Sequence, residues 1–407
     1  MDGEARMKDF SRMTPEGTRD YLYEECQIRH EMEQKATALF LSRGFREVKT
    51  PGLEYFDVFD PSFSGIGQDV MFKMSGRSGR ILVMRPDSTL PVARLAATRL
   101  KNEEKPLRLF YTQPVYRSHP GLSGQSSEDV QSGVEMLGAG GFRADLEILV
   151  LAAEVLGACA PGFRLEIGDA GFFRELTRTL PVSGEVLEKI RGAVEFKNYG
   201  ALDECLKGLG GSENVRALRA LPGFCGGEEM FREAEPYCGG KLRKSLGSLH
   251  RLYRSLSGLG LGDRLTADLG LVERNDYYTG VIFSVYLEGC GDAVLRGGRY
   301  DGLPGHFGES MPAVGFAMDL DAVGKAALKR RGDPGLKAVD VLVHGQDGYE
   351  LSALRHAEKL IREGLRCETS VFRTEEEAAA YAEKRGIRRL DVVGPDVRTV
   401  PTGRNAI

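Results

Sequence analysis

Leu271-Val272-Glu273-Arg274-Asn275-Asp276-Tyr277-Tyr278-Thr279-Gly280 is followed, sixteen residues on, by Gly297-Gly298-Arg299-Tyr300-Asp301-Gly302. Two adjacent tyrosines on a strand point to opposite faces, one into the protein and one across it. Gly280 allows a turn, and Val281-Ile282-Phe283-Ser284-Val285-Tyr286 reads as a buried strand. The glycine pair then lets backbone approach a bound small molecule closely. Either segment alone reads as an ordinary hairpin with a turn signal, whereas the two together at this spacing are far more restrictive.

Upstream, three polar stretches accompany these segments. In Arg85-Pro86-Asp87-Ser88-Thr89 the proline keeps Arg85 out of helical geometry, and Asp87 to Thr89 start a helix through Leu100. Asp87 and Thr89 cap that helix on local grounds, and a carboxylate is also the natural partner of a buried cation. Arg117 closes the strand region Leu107–Tyr111 and Pro114–Arg117. Gln131 and Glu135 are four apart, so they share a face on a helix and also on a strand.

The bulk numbers exclude several classes. A chain of 407 residues has room for two or three domains. A net charge of -4 with no long single-sign block gives no support to a nucleic-acid surface. The seven cysteines are scattered, with no CxxC pair and no histidine at ligand spacing, so a reducing compartment, no structural metal and no cofactor are expected. The amino terminus lacks a signal-peptide core, and no apolar run is long enough to span a bilayer. A soluble, cytoplasmic protein with no membrane partner is the expectation.

In chain order, an amphipathic helix is expected over Tyr21–Arg43, with Leu22, Cys26, Met32, Ala36, Leu39 and Phe40 as its apolar stripe and Gly44 as its stop. Phe45–Pro51 alternates like a strand, and Val70–Met84 reads as two strands around Ser75–Arg80. From Phe172 to Leu261 helical patterns without pocket motifs look like an insertion. Gly332-Asp333-Pro334-Gly335 marks a linker. Beyond it, strands at Val339–Val343, Arg366–Phe372 and Leu390–Val393 alternate with helices at Glu350–Glu363 and Glu375–Arg385, which implies a small α/β domain with a parallel sheet. The division expected is 1–171 for the first part of a core, 172–262 for a helical insertion, 263–331 for the second part of the core and 337–407 for the terminal domain.

Together these motifs resemble the histidine-binding segments of the histidyl-tRNA synthetase family and its non-catalytic relatives. The resemblance implies an α/β (α+β) fold with a class II aminoacyl-tRNA synthetase-like antiparallel sheet core, and a tail like a shortened anticodon-binding domain. It implies that Asp87, Thr89 and Gln131 hold the ammonium group of histidine, Arg117 its carboxylate, and Glu135 with Tyr277 and Tyr278 its imidazole. In that family the first helix, the strand after it and Pro51 form a dimer interface.

ATP chemistry needs cations for phosphates and a flat partner for adenine. Where the family has such groups, this chain places His119, Gln125 and Asp129, then Glu273 with Arg274 beside it, then Asp319-Leu320-Asp321-Ala322. The amino-acid half is kept and the nucleotide half is lost, as in the family of ATP phosphoribosyltransferase regulatory subunits, which the chain resembles. That resemblance implies a histidine-sensing, non-catalytic partner of a short ATP phosphoribosyltransferase catalytic subunit in histidine biosynthesis, working as a homodimer within a hetero-oligomer. The chain carries no phosphoribosyl-pyrophosphate loop of its own. Two other readings stay open: a divergent histidyl-tRNA synthetase that rebuilt its ATP site around Arg274, and a synthetase-like scaffold that senses tRNA.

Overall fold

The computed structural model describes residues 10–119, 125–272, 277–332 and 339–402. The chain divides into two compact units, Met1–Gly332 and Asp333–Ile407.

The first unit is built on a sheet whose centre is antiparallel. Long strands at Leu107–Tyr116 and Glu128–Leu137 pair with each other. Ala313–Asp319, Leu295–Arg299, Val281–Leu287 and Phe163–Asp169 follow in that spatial order, each antiparallel to the last. Leu265–Asp268 and Cys225–Gly226 extend one edge, and Arg46–Glu47 lies parallel to Leu107–Tyr116 at the other. Period-two alternation gives the sheet two apolar faces. Phe110, Val134, Phe283 and Phe316 pack on one face against the helices Tyr23–Ser42 and Phe142–Cys159. Leu109, Tyr111 and Ile282 pack on the other with Leu90, Tyr277, Tyr278 and Tyr300. That second face carries the site.

The first helix buries Ile28, Met32, Ala36 and Phe40, four apart, while Leu22 and Cys26 are exposed. The expected stripe therefore starts one turn too early, because the helix itself begins at Tyr23. Gly44 does end the segment, at φ +77°. Of Phe45–Pro51 only Arg46 and Glu47 pair as strand. The hairpin Lys73–Ser75 and Ile81–Met84 forms as expected and gains a third strand, Leu53–Tyr55. Helices at Ala170–Thr177, Gly184–Glu195, Tyr199–Leu206, Glu213–Ala220, Glu228–Ala234 and Gly240–Leu256 fill the stretch read as an insertion. Their apolar faces join the same core as the sheet.

In the second unit Cys367–Thr369, Val341–Gly345 and Arg389–Val393 run parallel, flanked by helices Glu350–Arg362 and Glu375–Lys384. A fourth strand, Val397–Pro401, joins antiparallel to Arg389–Val393. Sequence patterning missed it because an exposed edge strand has no buried face to alternate against. The linker residues 333–338 lie outside the described residues.

Candidate functional site

A cavity of about 490 Å³ opens on the second face of the sheet, and Asp87, Thr89, Arg117, Gln131, Glu135, Tyr277 and Tyr278 all line it. Its size is that of a small-molecule site, for which about 300–1,000 Å³ is usual. Gln131 and Glu135 share a face because Glu128–Leu137 is a strand; Asp129 and Gly133 complete that file. Across the ladder Glu135 stands opposite Gly315, which stands opposite Gly298. A β-carbon at Gly315 would lie 1.8 Å from Glu135 Oε2, and one at Gly298 would lie 2.7 Å from the Tyr278 ring. These two glycines form the floor on which the functional side chains rest.

Glu135 is fully buried. Tyr111 Oη donates to its Oε1 at 3.2 Å, and Tyr300 Oη donates to its Oε2. Burial pushes its carboxyl up to about 8, a rise that hydrogen bonding to Tyr300 and Thr89 opposes and the neighbouring Asp87 reinforces. Burial likewise raises the Asp87 carboxyl, against the attraction of Arg117. Asp87 Oδ1 accepts from the Leu90 amide at 3.0 Å, so the residue, one position ahead of the N-cap Ser88, ties down the first turn of the helix Thr89–Thr98 and faces the cavity at once. Arg117 is aimed by a 2.8 Å hydrogen bond from its Nε to the Pro86 carbonyl. The proline motif thus positions both the acid and the base. Gln131 Oε1 is buried and accepts no hydrogen bond from the described residues, an acceptor left open toward a donor-bearing ligand.

The tyrosine pair differs from the expectation. Tyr277 and Tyr278 precede the strand, which begins at Val281, so period two does not separate them. Their ring centroids are 4.8 Å apart, and both rings line the one cavity. Arg174 donates to the Tyr278 carbonyl, and the Thr279 amide donates to the Arg299 carbonyl at 2.7 Å, which fixes the backbone between them. In the glycine-rich segment, Arg299 is structural: it is buried and pairs with Asp145 at 2.6 Å and Asp301 at 2.8 Å. Tyr300, by contrast, reaches Glu135 and stacks edge-on to Tyr277 at 6.0 Å.

Sequence reading gave no individual role to Tyr111, Tyr300 or Gly315, and it read Gly298 as half of a pair that lets backbone approach a ligand, whereas here it makes room for the Tyr278 ring. Tyr111 sits in a strand of alternating apolar residues and carries no local signal. Of the positions read as the lost nucleotide half, His119, Gln125, Asp129, Asp319 and Ala322 line the cavity. Glu273 and Arg274 lie outside the described residues.

Chemically, the cavity matches a zwitterion with a polar ring. Two acids and an open amide acceptor suit an ammonium and ring N–H groups, and a guanidinium suits a carboxylate.

Residues 17–323 match the model of the histidyl-tRNA synthetase family. The ATP phosphoribosyltransferase regulatory subunit of Clostridium kluyveri is 37% identical over 392 residues, covering 95% of this chain and 100% of that protein. The protein of the same name from Bacillus mycoides is 35% identical over 390 residues, covering 94% and 91%. A crystal structure of an ATP phosphoribosyltransferase regulatory subunit/histidyl-tRNA synthetase from Bacillus halodurans superposes with a TM-score of 0.82 at 28% identity, covering 92% of this chain and 97% of that one. Histidyl-tRNA synthetase from a Nostoc species shares the fold, with a TM-score of 0.73 at 19% identity and coverage of 96% and 94%.

Proposed function

The chain belongs to the family of ATP phosphoribosyltransferase regulatory subunits, which carries the histidyl-tRNA synthetase fold, and from that premise we propose that it is a non-catalytic histidine sensor for a separate, short catalytic subunit. The seven side chains expected to contact histidine line a single cavity. That convergence carries the reading. Asp87 and Gln131 take the ammonium with Thr89, Arg117 takes the carboxylate, and Glu135 with the tyrosine pair takes the imidazole.

At positions where a synthetase would handle ATP, the same cavity presents Asp129, Asp319 and Ala322. A site that holds the amino acid but offers carboxylates to phosphates supports sensing over adenylate formation. Histidine occupancy then acts on the partner through a coupling free energy, the two subunits together forming phosphoribosyl-ATP at the first step of histidine biosynthesis. No helix among the described residues is long and apolar enough to cross a membrane, which accords with a cytoplasmic assembly. We place this chain in that assembly as a homodimer. Leu53, Tyr55 and Met74 support this: the strand register sets them on one side of the three-stranded sheet, all exposed.

Mixing the full chain with a short-form catalytic subunit and following phosphoribosyl-ATP tests the reading. A rate that rises with this chain and falls again with histidine is expected. An unchanged rate would remove the partner assignment, and histidine-dependent pyrophosphate exchange by this chain alone would restore the synthetase reading.

A further inference from the structure

The cavity is larger than one amino acid fills, and its far half is not neutral ground. The helix Leu320–Arg331, 12 residues long, starts at that end. A helix N-terminus with free amides attracts anions, phosphates above all. Here those amides are taken. Asp319 Oδ1 accepts from the Asp321 and Ala322 amides, both at 2.9 Å, and Asp319 itself lines the cavity.

Two more carboxyls crowd the same spot. Asp129, Asp319 and Asp321 bring oxygen atoms within 4.8 Å of one another. Asp321 is buried: its Oδ2 accepts from the Val130 amide at 3.0 Å, and its Oδ1 accepts no hydrogen bond from the described residues and lies 3.6 Å from Arg29. Cations line the cavity as well: Arg296 pairs with Asp292, Arg117 and Lys325 face Asp129, and Lys329 lies beside the Cys290 turn. His119, Glu288 and Cys290 are further titratable groups of the lining.

We propose that Asp319 is a specificity-determining residue: it plugs the helix N-terminus with its own carboxylate and, with Asp129 and Asp321, bars phosphate-bearing ligands from the cavity. The proposal rests on the reading of this cavity as a histidine site and names what that site refuses. An incoming phosphate meets an occupied N-terminus and a cluster of like charge, so it gains no amide donors and is repelled. Free histidine brings no phosphate and is not excluded. Burial and the nearby Asp129 lift the Asp319 carboxyl to about 6, so the plug is charged at neutral pH and discharges in mild acid.

The test is calorimetry on the full chain with inorganic triphosphate and ATP as probes, and with L-histidine titrated separately. At pH 7.5 the unmodified chain should bind neither phosphate probe. The double variant Asp319→Asn, Asp129→Asn keeps the helix cap, because asparagine caps as well as aspartate. It should gain at least about tenfold in triphosphate affinity through the removed repulsion. In a His119→Gln background with both aspartates intact, triphosphate affinity should rise as pH falls through about 6 relative to the double variant in the same background, a reference that subtracts the probe's own protonation near that pH. Triphosphate binding to the unmodified chain at pH 7.5 as tight as to the double variant would overturn the proposal. So would a folded double variant and an acid titration that both show no gain. If the double variant fails to fold, the single variant Asp129→Asn, which leaves the Asp319 cap in place, decides instead by the same gain in triphosphate affinity at pH 7.5. Histidine heat distinguishes the two readings: triphosphate gained while the unmodified chain ignores histidine keeps the plug and removes the sensor.

Discussion

Gly315 stands opposite Glu135 in the antiparallel ladder, and a β-carbon there would lie 1.8 Å from Glu135 Oε2 and 2.4 Å from the Val134 carbonyl oxygen. The carboxyl therefore occupies the volume that any other residue at 315 would claim. Since Val134 contributes backbone, the clash cannot be relieved by one rotamer. Gly315→Ala should cost about 1–3 kcal/mol of stability by overpacking and weaken histidine binding by turning Glu135 away. Urea unfolding and a histidine titration check both. An alanine variant equal to the parent in both would mean that the floor is not tight.

Glu135 sets a pH dependence. Its carboxyl sits near 8 against an ordinary value of 4.5, so it is protonated at neutral pH when the cavity is empty. A group raised in this way favours the fold below its ordinary range, and that contribution is lost as pH rises from 4.5 through about 8. The groups facing it are Tyr111, Tyr300, Tyr277, Thr89 and Asp87, none of them a cation. A neutral imidazole brings no proton, so one proton is shared in the complex. Histidine affinity should then be flat between the imidazole value of about 6.5 and the Glu135 value of about 8, and fall on either side. Glu135→Gln should leave on the alkaline side only the fall set by deprotonation of the ligand's ammonium group. Affinity independent of pH from 6 to 9.5 would contradict the shared proton.

The residues that line this cavity were legible in the sequence through the resemblance of its motifs to the histidyl-tRNA synthetase family, since on local grounds Asp87 and Thr89 read as helix caps and Gln131 and Glu135 only as a shared face. What stayed hidden was what holds them: Tyr111 and Gly315 act through contacts across the ladder, over sequence separations that no local pattern reports. The tyrosine pair misled because the strand was extended back to Tyr277, whereas regular pairing begins at Val281. The edge strand Val397–Pro401 escaped for want of a buried face.

In the second unit Asp391 is fully buried and accepts from His356 at 2.7 Å, from both ends of Arg389 at 2.8 and 2.7 Å, and from Thr399 at 2.8 Å. Although burial acts to raise it, these hydrogen bonds outweigh burial and draw the carboxyl down to about 2. A lowered acid stabilises the fold above its ordinary range, and that stability is lost as pH falls from about 4 through about 2. Asp391→Asn should remove about 2 kcal/mol at neutral pH and shift acid unfolding of this unit. Thermal melts from pH 2 to 7 read it; equal melts for parent and variant would show that the network contributes nothing net.

Dimerisation has its own test. Tyr55→Glu with Met74→Glu places two charges on the exposed apolar row of the three-stranded sheet. Light scattering should show the parent as a dimer and the variant as a monomer, with histidine binding kept because neither residue lines the cavity. A variant that stays dimeric would move the interface elsewhere.

The central claim is that this cavity binds free histidine through charge-matched ends, and titration calorimetry with L-histidine on the full chain and on Arg117→Ala tests it most directly. The parent should bind one histidine per chain. Truncating one partner of a buried charged pair costs about 3–5 kcal/mol, so Arg117→Ala should lose at least about two orders of magnitude in affinity. No histidine heat with the parent, or an Arg117→Ala variant that is folded and binds as tightly, would contradict the account.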